Sequence, residues 1–218
     1  MHTTVPCSTP LRMHLWKAFL VVILVAGCGW GADSARGSVH DRYDAESIVV
    51  ARREKDNQFR SGDSPIPVAL RAEFPGLAYY PPSEKFALAA SLERFPSTDT
   101  VSVAATGGET RKMLRYGELR FRIDGQEEHL TVYKHMENDG ELFIPFRDAT
   151  NGAATYEAGR YVDLAEKPGE DHYLLDFNYA YSPYCAYNPD YSCPLVPREN
   201  TLMVAIEAGE KVAPGMAH

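Results

Sequence analysis

Leu119, Phe121 and Ile123 alternate with Arg120, Arg122 and Asp124, and Gly125 follows at once. A period of two puts the apolar side chains on one face of an extended chain, and Asp-Gly favours the left-handed backbone of a two-residue hairpin. Leu130 and Val132 continue the alternation on the return strand. This stretch is therefore committed to an antiparallel sheet with one face buried. Residues 86–95, 101–105, 113–116, 129–134 and 142–146 give further short runs separated by turns bearing Gly, Pro or Asp, and 202–207 supplies a last strand. With little helix between them, the runs predict a mainly β domain whose antiparallel sheet is curled into a barrel or folded as a sandwich.

One helix precedes the sheet. Asp44 is placed to cap it, and Ile48, Val49 and Phe59 set apolar groups against charges up to Arg60. The run Arg52-Arg53-Glu54-Lys55-Asp56 reads as a solvated face, and Ser61-Gly62-Asp63-Ser64-Pro65 ends the helix. Residues 74–82 read as a turn and a short strand stopped by prolines.

The N-terminus carries an address. Arg12 and Lys17 flank an apolar run over residues 18–26, too short to cross a bilayer as a helix, and Val25-Ala26-Gly27-Cys28 puts small residues ahead of a cysteine. Residues 1–27 read as a signal peptide. The tetrapeptide resembles a bacterial lipobox, so Cys28 is expected to carry the lipid, with residues 28–43 as a tether, 44–210 as one domain and 211–218 as a tail. The partner implied is a membrane reached through that lipid. Gly29 in place of aspartate favours the outer membrane, facing the periplasm, where the cell has two membranes. Removing residues 1–27 takes away Arg12 and Lys17 and leaves 20 basic against 30 acidic residues, a net charge of −10 that argues against nucleic acid. Nothing in the chain fixes an oligomeric state.

Residues 146–199 break the strand pattern. Eight of the thirteen tyrosines lie between Tyr156 and Tyr191, a density that suits a ligand-facing cleft or a loop packed over a sheet. Cys185 and Cys193 form a C-x7-C pair whose spacing suits an export-type disulfide better than zinc. Arg160 could present its fork to a carboxylate or phosphate, or could be held in an internal ion pair with Asp148, Asp163 or Asp176. Asp148, Asp163, Asp176 and Glu199 are candidate acid/base groups, or alternatively satisfy backbone amides of turns and loops. Asn178 and Asn200 suit an irregular loop that needs both donors and acceptors. There is no H-x-x-x-H pair, EF-hand spacing, G-x-S-x-G or glycine-rich phosphate loop, so no metal or cofactor is expected.

The segments F-x-D-x-T-x-G-x-x-T-Y from Phe146, G-R-Y-x-D from Gly159, L-D-F-N-x-A-Y-x-P-x-C-A-Y from Leu175 and C-P-x-x-P-x-E-N-x-L from Cys193 carry a resemblance. Together they resemble the bacterial family called domain of unknown function 1684. Glu157 departs from the glycine usual there after the tyrosine. The resemblance implies a shared fold and no established activity.

The residues favour a lipid-anchored binding or accessory domain, with a cleft for a small anionic or polar ligand lined by Tyr156, Arg160, Tyr161, Asp176 and Asn178. Two alternatives follow from the same stretch. One is an envelope hydrolase using two of the carboxylates, and the other is a structural lipoprotein that docks a partner.

Overall fold

The computed structural model describes residues 41–62, 64–137 and 140–212. Residues 1–27, expected as a signal peptide, Cys28, expected to carry the lipid, the expected tether up to residue 40 and the residues beyond 212 lie outside these residues. The helix α1 spans Ala45–Arg60, and the Asp44 carboxylate accepts from the amides of Glu46 and Ser47 and from the Ser47 hydroxyl. Its inner face is wider than the apolar residues suggest. Ile48 and Phe59 are buried, and Arg52, Lys55 and Asp56 turn inward beside them, while Arg53 and Glu54 stay exposed. Positions 48, 52, 55, 56 and 59 fall on one stripe of a 3.6-residue helix, so the charge run is not uniformly solvated. Arg52 donates to the carbonyls of Tyr80 and Asn178, and Asp56 accepts from the Leu77 amide.

A one-turn helix α2 (Val68–Arg71) and a two-residue strand β1 (Ala78–Tyr79) lead into β2 (Ala87–Ala104), β3 (Thr110–Ile123), β4 (Gln126–His135) and β5 (Glu141–Phe146). After a long turn come β6 (Arg160–Ala165) and β7 (His172–Asp176), and near the end β8 (Glu210–Lys211). Six strands form one antiparallel sheet in the order β6-β5-β4-β3-β2-β7, and β1 pairs with β8. The sheet curls into a nearly closed barrel. Tyr161 at the start of β6 and Tyr181 beyond β7 exchange both backbone hydrogen bonds, each 2.9 Å, and so bridge the two ends of the sheet.

The expected hairpin is present. Asp124 and Gly125 have φ of +49° and +80°, and Ile123 faces Gln126. The runs expected as separate strands are joined. Residues 87–95 and 101–104 of these runs belong to one 18-residue strand with a register shift between Arg94 and Asp99, where Pro96 cannot donate to a ladder. Gly117 is likewise within β3 rather than in a turn, and its lack of a side chain is needed because a Cβ there would lie 2.6 Å from the Glu93 carbonyl oxygen. Residues 202–207 form no strand. Thr201 bridges Arg147, and beyond it side chains rather than a neighbouring ladder satisfy the backbone of Ile206.

The register shifts divide the packing. Leu119, Phe121, Ile123, Leu130, Val132, Leu142 and Ile144 fill the barrel with Phe146 and Phe177. Beyond the shifts, Val103 and Met113 join Tyr133, Phe143 and Tyr161 in a second cluster on the opposite face. The continuous run Leu142-Phe143-Ile144 is buried on both faces for this reason. A third cluster holds Phe59, Ile66 and Phe74 against Ala186 and Tyr187. Among the described residues no helix is long and apolar enough to cross a membrane.

Candidate functional site

Arg160 is sealed inside the fold. It opens β6 with its side chain 0% exposed, and its guanidinium donates to Asp148 Oδ2 at 2.8 Å, to the Ile206 carbonyl at 2.9 Å, to the Glu210 carbonyl at 3.2 Å and to the Ala208 carbonyl. The other oxygen of Asp148 accepts from the Thr150 amide and hydroxyl at 2.8 and 2.6 Å and from the Ile206 amide at 3.1 Å. Buried charge is stable only when paired and bonded in this way. The pair acts as a clasp, fastening residues 206–210 to the barrel. Residues 206–210 are thus packed into the fold, and Glu210 is among the most buried polar residues.

The other expected cleft residues also separate. Asp176 caps the turn of 3-10 helix at Phe177–Tyr179, accepting from the Asn178 amide and side chain at 2.9 and 2.7 Å. Asn178 in turn accepts from the Ser83 amide and donates to the Ser83 carbonyl, while its own carbonyl receives Arg52. Both are buried bolts between distant segments. Asn200 does the same for β4 and β5, accepting from the Thr131 amide and donating to the Thr131 and Pro145 carbonyls. Glu199 is exposed and takes the Tyr133 hydroxyl at 2.8 Å. The four candidate carboxylates therefore have four separate sets of partners. Among the described residues no group of three His, Cys, Asp or Glu is arranged to hold a metal.

Strand geometry explains why Arg160 and Tyr161 part. Neighbours on a strand face opposite ways, so Arg160 enters the barrel while Tyr161 and Asp163 lie on its outer face. There Tyr161 joins Phe143 and Tyr181 around a cavity of about 540 Å³, open on one side. The volume is in the range of small-molecule sites. Its lining comes from three parts of the chain: Lys55 from α1, His135, Phe143 and Tyr161 from the barrel, and the loop that carries Tyr184 and Tyr191. The rings meet mostly edge to face. Phe143 and Tyr161 are 4.7 Å apart at 71°, Tyr161 and Tyr181 5.7 Å at 90°, and Tyr184 and Tyr191 5.4 Å at 81°.

The charged groups around this cavity are tied down behind it. Lys55 pairs with Glu210, and its ammonium lies 4.6 Å from the centre of the Tyr181 ring. Glu210 also accepts from the Ser182 amide at 2.8 Å and the Tyr187 hydroxyl at 2.6 Å. Tyr181 donates its hydroxyl to Asp163 at 2.5 Å. Burial pushes the Asp163 carboxyl up to about 7, with Glu141 adding to the rise and Tyr181 and Lys55 opposing it. His135 is lowered by burial and then by Arg111.

The Asp163 shift fixes a sign. The unfolded chain loses this proton near the ordinary 3.8 and the folded chain keeps it until about 7, so folded protein binds the more protons between these values. Asp163 therefore makes stability fall as pH rises through that window. Asp163→Asn, which still accepts from Tyr181, is expected to flatten that fall and to raise the melting temperature at pH 8, as thermal melts at pH 5 and pH 8 would read. A steeper fall in the variant would contradict the assignment.

Cys185 and Cys193 stand side by side as unbonded thiols, with the Cys185 amide 3.3 Å from the Cys193 sulfur. The hydrogen bond from Cys193 lowers Cys185 to about 6, while the same contact and burial raise Cys193. The Tyr156 hydroxyl lies 4.0 Å from the Cys185 sulfur, which places Tyr156 at this pair and not beside Arg160.

Residues 72–211 match the family described as "Protein of unknown function (DUF1684)". The chain belongs to the DUF1684 family. A solution NMR structure of the uncharacterized protein from gene locus rrnAC0354 of Haloarcula marismortui is similar to this DUF1684 chain, with 34% identity, 76% of this chain and 92% of that one covered, and a TM-score of 0.62. No curated protein matches. Among the motif residues that mark DUF1684 here, Asp148, Arg160, Asp176, Asn178 and Asn200 work as internal fasteners, while Tyr161, Tyr181, Pro183, Cys193 and Pro194 line the cavity. Glu157, where the resemblance led to an expectation of glycine, has no left-handed backbone, so the turn does not call for glycine at that position.

The sequence reading missed Lys55, His135 and Phe143 as lining residues. The consecutive apolar run at 142–144 was the available signal, since a strand buried on both faces must pack something against its outer side.

Proposed function

We propose that this DUF1684 protein is a small-ligand-binding or accessory domain of the cell envelope whose site is the aromatic cavity at Tyr161 and Tyr181. One observation carries the reading: an open cavity of about 540 Å³ with side chains from α1, the barrel and the 183–194 loop converging on it. Of the expected ligand residues, only Tyr161 lines it. A thermal-shift screen of the whole domain against aromatic acids, sugars, phosphates and divalent ions tests the reading. A ligand at a hundred times its dissociation constant should add about 2.7 kcal/mol. Tyr191→Ala, which changes a rim residue that is 37% exposed, should abolish the shift without unfolding the domain. No shift from any class, or a shift that survives Tyr191→Ala, would refute it.

The same proposal includes export through residues 1–27, a lipid on Cys28 and attachment to the envelope, on the outer membrane facing the periplasm in a cell with two membranes. It also includes a Cys185–Cys193 disulfide formed in that oxidising compartment. Closing so short a loop is worth about 2.5 kcal/mol in the chain-entropy model. The support is the leader sequence and the closeness of the two thiols. An intact mass of protein recovered from the membrane fraction checks both features. The expected mass is that of a chain beginning at Cys28 with a diacylglyceryl group added and two hydrogens missing. An unprocessed chain would refute the anchor, and a fully reduced one the disulfide.

A further inference from the structure

The cavity walls are mostly carbon, with Ser192 the single aliphatic hydroxyl among the lining residues. Tyr161 donates its hydroxyl to the Pro194 carbonyl and Tyr181 donates its own to Asp163, so both rings meet the cavity through their aromatic surfaces. Pro183, Pro194 and Cys193 add further apolar wall. The charges are one-sided. The lining includes one ammonium, Lys55, and one imidazole, His135, but no Asp or Glu.

The neighbouring acids are withdrawn. Glu210 is 1% exposed and shares its charge among Lys55, the Ser182 amide and the Tyr187 hydroxyl. Asp163 sits behind the Tyr181 hydroxyl and near Glu141, and burial keeps it partly protonated at neutral pH. Lys55 is 24% exposed and has three N–H donors, so its bond to Glu210 leaves others for an acceptor in the cavity. Arg111 lies close enough to depress the basicity of His135 and adds positive potential on that side.

We propose that the cavity takes a planar aromatic anion, a ring carrying a carboxylate or sulfonate, with the ring against the tyrosine walls and the anionic group on the Lys55 ammonium. The inference rests on the ligand-binding reading of the same cavity. Flat rings suit walls already arranged edge to face, and a charge-assisted bond to Lys55 is stronger than a neutral one.

The test uses two dyes of similar shape on the whole protein, 1-anilinonaphthalene-8-sulfonate and the uncharged N-phenyl-1-naphthylamine, titrated by fluorescence. The sulfonate is expected to bind about ten-fold tighter, a difference of about 1.4 kcal/mol. Lys55→Met should bring the two dyes to parity, and Lys55→Arg should keep the preference. Because Lys55→Met leaves Glu210 unpaired and could unfold the domain, salt provides a second arm on the unaltered protein. Raising it to about 0.5 M should weaken the sulfonate and leave the neutral dye unchanged, since exposed charge is screened at that strength. Tyr191→Ala should weaken both dyes and so place them in this cavity. Equal affinity for the two dyes in the unaltered protein would overturn the anion preference while leaving the cavity as a binding site. Failure of both dyes to bind, together with no shift from aromatic acids, would overturn the binding reading itself.

Discussion

Arg160→Ala is expected to lower the stability of the domain by about 3–5 kcal/mol, the range found when one partner of a buried ion pair is removed. The size of the effect comes from what stays behind. Asp148 would remain buried with no cation, and the carbonyls of Ile206, Ala208 and Glu210 would each lose a donor. Domains are stable by only about 5–15 kcal/mol, so this single change approaches the limit of folding. Urea denaturation should show a much lower midpoint, and the melting temperature should fall by about 6–20 °C.

Adding Asp148→Asn to an Arg160→Met change should recover part of the loss. It removes the uncompensated charge and keeps an acceptor for Thr150 and Ile206. The opposite pattern, an unchanged midpoint with ligand binding lost, would mean that the guanidinium serves an open site and that the clasp is wrong.

Glu210→Ala should cost about 2–4 kcal/mol, somewhat less because Lys55 is partly exposed and can turn to water. The buried Ser182 amide and Tyr187 hydroxyl cannot escape in the same way. Glu210→Gln keeps one oxygen that can accept from both and replaces the oxygen facing Lys55 with an amide donor, so it should cost less than Glu210→Ala. A loss below about 0.5 kcal/mol for Glu210→Ala would fall in the range of an ordinary surface change and would show that residues 206–210 are not fastened as described. The two variants also separate two roles of this short segment. Arg160 holds its backbone carbonyls, whereas Glu210 holds Lys55, Ser182 and Tyr187 through its side chain.

Local signals in the sequence carried a good part of the fold. The Asp44 cap, the Asp124-Gly125 hairpin and the alternation at 119–123 depend on residues within a few positions of one another, and each appears where expected. The family resemblance carried further, because motif residues report the scaffold as well as any site. The destination of Arg160 was open in the sequence, since Asp148, Asp163 and Asp176 were all plausible partners and the choice depends on which way β6 turns its odd and even positions. The cavity was less legible still. Lys55, Phe143, Tyr161 and Tyr191 are far apart in the chain, and only the curl of the sheet and the packing of α1 bring them together. A dense run of tyrosines pointed to the region that supplies part of this cavity, but density does not say which rings face a common space.

The pairing of β1 with β8 has a consequence for how the molecule is made. A strand that begins at Ala78 waits for one that ends at Lys211, Lys55 waits for Glu210, and Arg160 waits for the carbonyls of 206–210. A chain synthesised from its N-terminus can form the central hairpins early, because their contacts are local, whereas these long-range closures must follow. Residues 206–211 therefore set the moment of completion: until they emerge, Lys55 on α1 lacks its carboxylate and Arg160 lacks three of its carbonyl acceptors.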